Sequence, residues 1–215
     1  MFSDLKSSST AVSLLFANFV SIIFAFFFNW SFVEVVFVYV IQSFIIGFFH
    51  FLKLLFTFKS VKLENGSVVS GLIPSLFGVE SGFKLFGFFL AFFFFVHYSF
   101  FHLVYFVFLF VFANFQNINI FSVSIIISVF VFFVNHFLSF LYYYKKSVNY
   151  YSTLGNAQLL FFKPYSRIFP VHLTLIFAGF LFFFGFFNYV LLLFFMLLKT
   201  FVDLKMHFEE HKNDF

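Results

Sequence analysis

The chain alternates between long apolar runs and short polar breaks. Five runs stand out, at about 11–28, 32–56, 86–114, 119–143 and 168–204. A helix rises 1.5 Å per residue, so about 20 residues cross the ~30 Å hydrocarbon core of a bilayer. The last run is too long for one crossing, and Gly185-Phe186-Phe187-Asn188 divides it. The pattern predicts an all-α polytopic membrane protein. Its six-helix bundle has spans at about 11–28, 32–56, 86–114, 119–143, 168–184 and 188–206, paired by short turns into three antiparallel hairpins. Residues 1–215 read as a single integral membrane domain without internal repeats. Two longer loops, 57–84 and 144–167, connect the hairpins. The first holds the turn signal Glu64-Asn65-Gly66 and an apolar segment from Gly71 to Gly78, expected in the interface or dipping into the bundle.

Charge sets the orientation. With six spans, all twelve lysines and arginines fall on one face. Lys6 precedes span 1, and Lys53, Lys59, Lys62 and Lys84 end span 2 or precede span 3. Lys145, Lys146, Lys163 and Arg167 lie between spans 4 and 5. Lys199, Lys205 and Lys212 lie at or beyond the end of span 6. The opposite turns, at Asn29-Trp30-Ser31, Asn114 to Asn117 and Gly185 to Asn188, carry no positive charge. Positive charge favours the cytoplasmic side, so both termini and both loops are expected there, in the cell membrane. Trp30, the only tryptophan, is expected as an interfacial anchor.

Composition narrows the class. Hydrophobic residues make up 63% of the chain and charged residues 9%, far below the roughly 25% charged residues of soluble domains. A soluble fold is excluded. The net charge of +4 suits an anionic inner leaflet, and no basic cluster with interleaved aromatics suggests nucleic acid. The 52 phenylalanines read as replacements for leucine favoured by A- and T-rich codons, not as an aromatic ligand pocket. The absence of cysteine removes thiolate metal sites and disulfides. No small-residue cleavage site follows the first apolar run, so span 1 is expected to remain a helix instead of serving as a signal peptide. A homo-oligomer is allowed.

In so apolar a chain, the rare small and polar residues mark the packing faces, because helices associate in lipid through small residues and interhelical hydrogen bonds. Tyr39, Ser43, Gly47 and His50 share a stripe on span 2. Gly87, Ala91, Tyr98, His102 and Tyr105 do so on span 3. Ser128, His136, Ser139 and Tyr143 align on span 4, His172 and Gly179 on span 5, and Lys199, Asp203, His207 and His211 on span 6. His50, His136, His172, Asp203 and His207 each lie one to two turns from the cytoplasmic end. His97 and His102 lie deeper.

Four segments resemble one family in the same order. They are Tyr39-Val40-Ile41-Gln42-Ser43-Phe44-Ile45-Ile46-Gly47-Phe48-Phe49 and Val96-His97-Tyr98-Ser99-Phe100-Phe101-His102. The third is Lys163-Pro164-Tyr165-Ser166-Arg167-Ile168 with His172-Leu173-Thr174. The fourth is Leu198-Lys199-Thr200 with Asp203-Leu204, His207 and Glu210-His211. Together they resemble the small prokaryotic multi-pass membrane family catalogued as domain of unknown function 6498, over about residues 30–211. The resemblance implies an integral membrane protein and supplies no activity.

The residues themselves support three chemistries. Imidazoles on facing helices suit a transition metal or haem. His136, His172, Asp203 and His207 are the candidate metal ligands, and His97 and His102 the candidate cofactor-binding pair. Lys199, one turn from Asp203, would neutralise it and remove the need for metal. A second candidate is proteolysis. His207-Phe208-Glu209-Glu210-His211 reads as H-x-x-E-H, a zinc-protease pattern, but an emerging polar helix end explains it. The His97 and His102 pair lacks the serine partner that a rhomboid-like site needs. The third is a transporter or channel subunit in which Gln42, Glu34 and the histidines relay protons or ions. A non-catalytic scaffold held by polar contacts is the remaining reading.

The topology is directly testable by labelling. Reporters after Phe215 and near Gly66 should be protected from external reagents, while a tag near Gln116 should be reached. External labelling of the C-terminus would overturn the positive-inside assignment.

Overall fold

The computed structural model describes residues 9–60, 79–115, 118–150, 165, 176 and 189–211. They form five helices: α1 (Ser9–Phe27), α2 (Phe32–Ser60), α3 (Val79–Phe115), α4 (Val123–Tyr150) and α5 (Tyr189–His211). Among the described residues there is no strand. Helices α1 to α4 are long and apolar enough to cross a membrane and match the first four expected spans. Helix α5 matches the sixth, but Lys199, Asp203 and Lys205 interrupt its apolar character. The expected span 168–184 lies outside the described residues. The described residues therefore give five helices, four of them long and apolar enough to span a membrane.

Local chemistry fixes the first hairpin. Asn29 adopts a left-handed φ of 50°, a conformation that asparagine tolerates better than most residues. Around it, Trp30 N–H donates to the Ala25 carbonyl at 2.8 Å and Asn29 N–H to the Phe26 carbonyl at 3.4 Å. That pairing is a Schellman stop for α1. Helix α2 starts with a capping box. Ser31 N–H donates to Glu34 Oε2 at 2.7 Å, and Glu34 N–H donates to Ser31 Oγ at 3.3 Å. Glu34, expected as a relay residue, is thus a helix cap. Trp30 departs from the anchor expectation too. It is buried, and its indole N–H donates to Ser124 Oγ at 3.0 Å, tying the turn to the start of α4.

Helix α2 is the hub. In its most apolar stretch 72% of residues are buried, against 39%, 28% and 39% in α1, α3 and α4. It packs against α3 and α4, while α1 packs against α4 and α5. The ring contacts give the directions. Phe37 meets Phe106 and Phe110, whereas Phe51 meets Phe95, so α2 and α3 are antiparallel. Phe37 meets Phe121 and Phe56 meets Tyr144, so α2 and α4 are parallel. Thr10 reaches both Tyr143 and His207, which puts the start of α1 beside the ends of α4 and α5. Lys53, Lys59, Lys84, Lys145, Lys146 and Lys205 consequently sit toward one end of the bundle. Lys199 does not, as described below.

On α2, α3 and α4 the expected packing faces are the observed ones. Ala91 is fully buried, and Tyr39, Ser43, His50, Tyr98, His102, Tyr105, Ser128, Ser139 and Tyr143 are buried. Much of the outer surface is phenylalanine, leucine and valine, including Phe16, Phe88, Phe92, Phe100 and Leu103. So extensive an apolar exterior suits hydrocarbon and not water. Helices α2 and α3 approach each other closely at Gly47. A Cβ on Gly47 would overlap the Tyr98 ring. That ring cannot swing away freely, because its hydroxyl donates to the Ser43 carbonyl at 3.0 Å and lies 3.1 Å from Ser43 Oγ.

These faces predict unequal tolerance. Gly47→Leu should cost about 1–3 kcal/mol through overpacking, and Ala91→Leu should cost a similar amount. Phe93, 48% exposed, should accept leucine within about 0.5 kcal/mol. Thermal melts of the detergent-solubilised variants check this, and equal tolerance at all three positions would contradict the packing described.

Candidate functional site

Lys199 and Asp203 stand one turn apart on α5 and face inward between α1 and α2. Lys199 Nζ lies 2.6 Å from Asp203 Oδ2, and the two side chains are only 16% and 17% exposed. Charges in such surroundings demand compensation, and three helices supply it. From α1, Asn18 Oδ1 accepts from Lys199 Nζ at 3.1 Å. From α2, Gln42 clamps the pair: Oε1 accepts from Lys199, and Nε2 donates to Asp203 Oδ2 at 3.1 Å. The amide orientation follows from this network, with its oxygen toward the cation and its nitrogen toward the anion. The Lys199 ammonium also lies 4.0 Å from the Tyr39 ring centroid and 4.9 Å from that of Phe132, both cation–π distances. Lys199 is therefore an interior charge. The positive-inside pattern groups it with the peripheral lysines, whereas its stripe on span 6 sets it one turn from Asp203.

Helix α4 also reaches the pair through Gln42, whose Nε2 lies 3.4 Å from His136 Nε2. His136 also lines a cavity of about 50 Å³, with His50 and Lys53 of α2, Ser139, Tyr143 and Tyr144 of α4, and His207 of α5. One probe-sized water needs about 10–15 Å³ by this measure, so the cavity has room for roughly three to five. At its α1 side, Thr10 Oγ1 lies 3.1 Å from both Tyr143 Oη and His207 Nε2. Nearby, the Ser13 hydroxyl donates to Asn135 Oδ1. The result is one continuous polar path, from the Lys199–Asp203 pair through Gln42 and His136 to the cavity wall.

The expected metal set is only partly brought together. His136 and Asp203 meet at Gln42, but Asp203 Oδ2 is taken by Lys199 and Gln42. His207 turns to Thr10. His172 lies outside the described residues. Among the described residues, no group of three or more histidine, aspartate or glutamate side chains is placed to hold a metal ion. His97 and His102 do not converge either. Five residues apart, they point about 140° from each other around α3. His97 stacks on Phe93, and its Nδ1 lies 3.0 Å from Tyr165 Oη. His102 is buried, stacks on Tyr98 and donates from Nδ1 to the Tyr98 carbonyl at 2.9 Å. Among the described residues its Nε2 has no hydrogen-bond partner. Of the H-x-x-E-H segment, His207 faces the bundle interior.

Sequence reasoning missed the contribution of α1. Thr10, Ser13 and Asn18 all bond to other helices or to the ion pair. The signal was present: Ala11, Leu14, Asn18, Ser21 and Ala25 recur at intervals of three and four and are all buried. That is the same periodicity of rare small and polar residues that marked the other helices. Asn135 was missed because its neighbour His136 was the more conspicuous residue.

The four segments that suggested a family meet in space. Gln42 of the first binds Lys199 and Asp203 of the fourth. Ser43 of the first bonds Tyr98 of the second, and His97 of the second meets Tyr165 of the third. No curated protein and no solved structure matches the chain. A family model described as "Family of unknown function (DUF6498)" matches residues 1–214, and the chain belongs to that family.

Proposed function

We propose that this is a six-span protein of the cell membrane, with both termini and both long loops cytoplasmic, acting as a small proton-handling transporter. The centre of the reading is the Lys199–Asp203 pair with Gln42 and His136. One observation carries it: a charged pair in the bundle interior is linked by a side-chain amide to an imidazole on the wall of a water-sized cavity. Ionisable groups within a membrane are costly and mark proton or substrate paths. Gln42 stands ten residues into α2, about 15 Å along the helix, half of a ~30 Å hydrocarbon core. The pair thus lies near the midplane, deeper than the one to two turns expected for Asp203. The cavity lies toward the lysine-rich end, so it would open the centre to the cytoplasmic side.

A purely structural pair and a working one respond differently to replacement. Removing one partner, as in Asp203→Leu, leaves an uncompensated charge and should cost about 3 kcal/mol or more. Replacing both, as in Lys199→Met with Asp203→Leu, should restore stability to within about 1 kcal/mol of the parent, since apolar substitutes for buried pairs are often neutral. The double variant should nevertheless lose proton flux in liposomes loaded with a pH-sensitive dye. Parental flux in a folded double variant would reduce the pair to a packing device and overturn the proposal.

A further inference from the structure

A transporter has to reach both faces of the membrane, and the cavity serves only the lysine-rich end. Between the Lys199–Asp203 pair and the opposite, turn end, the described surroundings are largely apolar. Val35, Val36, Ile125, Leu192 and Met196 are all buried there in one hydrophobic cluster. Two hydroxyls interrupt that packing. Tyr39 precedes Gln42 on α2, about 4.5 Å nearer the turn end, and Ser128 lies one turn before Phe132 on α4. Tyr39 is 7% exposed and Ser128 0%. Among the described residues, neither Tyr39 Oη nor Ser128 Oγ has a hydrogen-bond partner.

Both residues adjoin the charged centre. The Lys199 ammonium rests against the rings of Tyr39 and Phe132, and α2 packs along α4. One turn beyond Ser128, toward the turn end, Ser124 accepts from the Trp30 indole and lies 3.1 Å from Ser122 Oγ. Tyr39, Ser128, Ser124 and Ser122 therefore mark a line of hydroxyls from the centre to the turn, through packing that is otherwise apolar. A buried hydroxyl without a partner costs free energy that phenylalanine or alanine in its place would avoid. Thr57 Oγ1, Ser99 Oγ and His102 Nε2 share that condition, but Thr57 lies toward the lysine-rich end and the other two lie on α3, away from the α2–α4 seam.

We infer that Tyr39 and Ser128 are the relay groups of the outward half of the proton path. A hydroxyl both accepts and donates. It takes a proton on a lone pair and releases its own to the next acceptor, so it ends as neutral as it began. A proton leaving Asp203 passes in this way through Tyr39 and Ser128 to Ser124 and the turn, with water molecules spanning the gaps. Such waters also supply the hydrogen-bond partners that the two hydroxyls lack. The inference deepens the transport reading and rests on it for its role.

The test measures proton flux of the full chain in liposomes loaded with a pH-sensitive dye, and melting temperature in detergent. The variants are Tyr39→Phe and Ser128→Ala, with Ser99→Ala as the reference. Tyr39→Phe keeps the ring that holds Lys199, so its effect belongs to the hydroxyl alone. Both relay variants should melt at or above the parental temperature, because each removes an unpartnered polar atom. Each should nevertheless lower the flux on the order of tenfold or more, while Ser99→Ala should leave it parental. Parental flux in both relay variants would overturn the inference, as would a fall in melting temperature that parallels the fall in flux. Parental flux there, with flux still lost on replacing both Lys199 and Asp203, would sink the outward relay and leave the proton centre standing. A parent that carries no proton flux would sink both.

Discussion

The bundle is organised around one constraint: a lysine and an aspartate are placed where nothing apolar can satisfy them. Their mutual attraction alone does not offset the cost of leaving water. Other helices supply further hydrogen bonds to the pair. Asn18 supplies one from α1 and Gln42 supplies two from α2. Tyr39 and Phe132 add ring faces from α2 and α4. The pair thus sets the register of α5 against α1 and α2. Shifting α5 by one residue would rotate both charges about 100° away from their partners.

Phenylalanine cannot impose such a register. The aromatic contacts in this bundle include edge-on, tilted and stacked geometries, with centroids from 4.5 to 6.4 Å apart. Each adds modest attraction, and many alternative rotations of a phenylalanine-rich helix would find comparable ones. Directional bonds remove that degeneracy. Tyr98 with Ser43 fixes α3 against α2, Trp30 with Ser124 fixes the first turn against α4, and Thr10 links the ends of α4 and α5 to α1. A few polar residues specify the arrangement, and the aromatic remainder fills it.

That division explains what could be read from the sequence. Helix positions and inward faces were legible, because polar residues in a 63% hydrophobic chain have few places to go. Gly47, Ala91 and Tyr98 were recognised by spacing alone. Three-dimensional partnering was not legible. The positive-inside rule groups Lys199 with the peripheral lysines, its stripe aligns it with Asp203, and Asn18 and Gln42 from other helices decide for the interior. Trp30 looked like an anchor for a similar reason, until Ser124 supplied its acceptor. Within the candidate metal set, the described residues His136, Asp203 and His207 take other partners for the same cause. Periodicity places His136, Asp203 and His207 on inward faces and Lys199 beside Asp203, but it does not say that Gln42 and Thr10 reach them too.

The same residues carry packing and chemistry, and this shapes what a mutation can mean. Gln42 and Ser43 are adjacent on α2. One binds the charged pair on α5, and the other binds Tyr98 on α3. Adjacent helical positions point about 100° apart, so the hub serves two interfaces from one turn. A proton arriving at Asp203 would weaken its hold on Lys199 and Gln42, and with it the register of α5 against α2. Neighbouring Ser43 and Tyr98 would leave α2 and α3 locked. The structure thus pairs a rigid contact, the α2–α3 seam with Gly47 against the Tyr98 ring, with a charge-dependent one between α2 and α5. If the bundle moves when its centre titrates, α5 is the element that should move. At the cavity end α5 is also held to α1, through His207 to Thr10 and through Leu204 to Ala11 and Leu14.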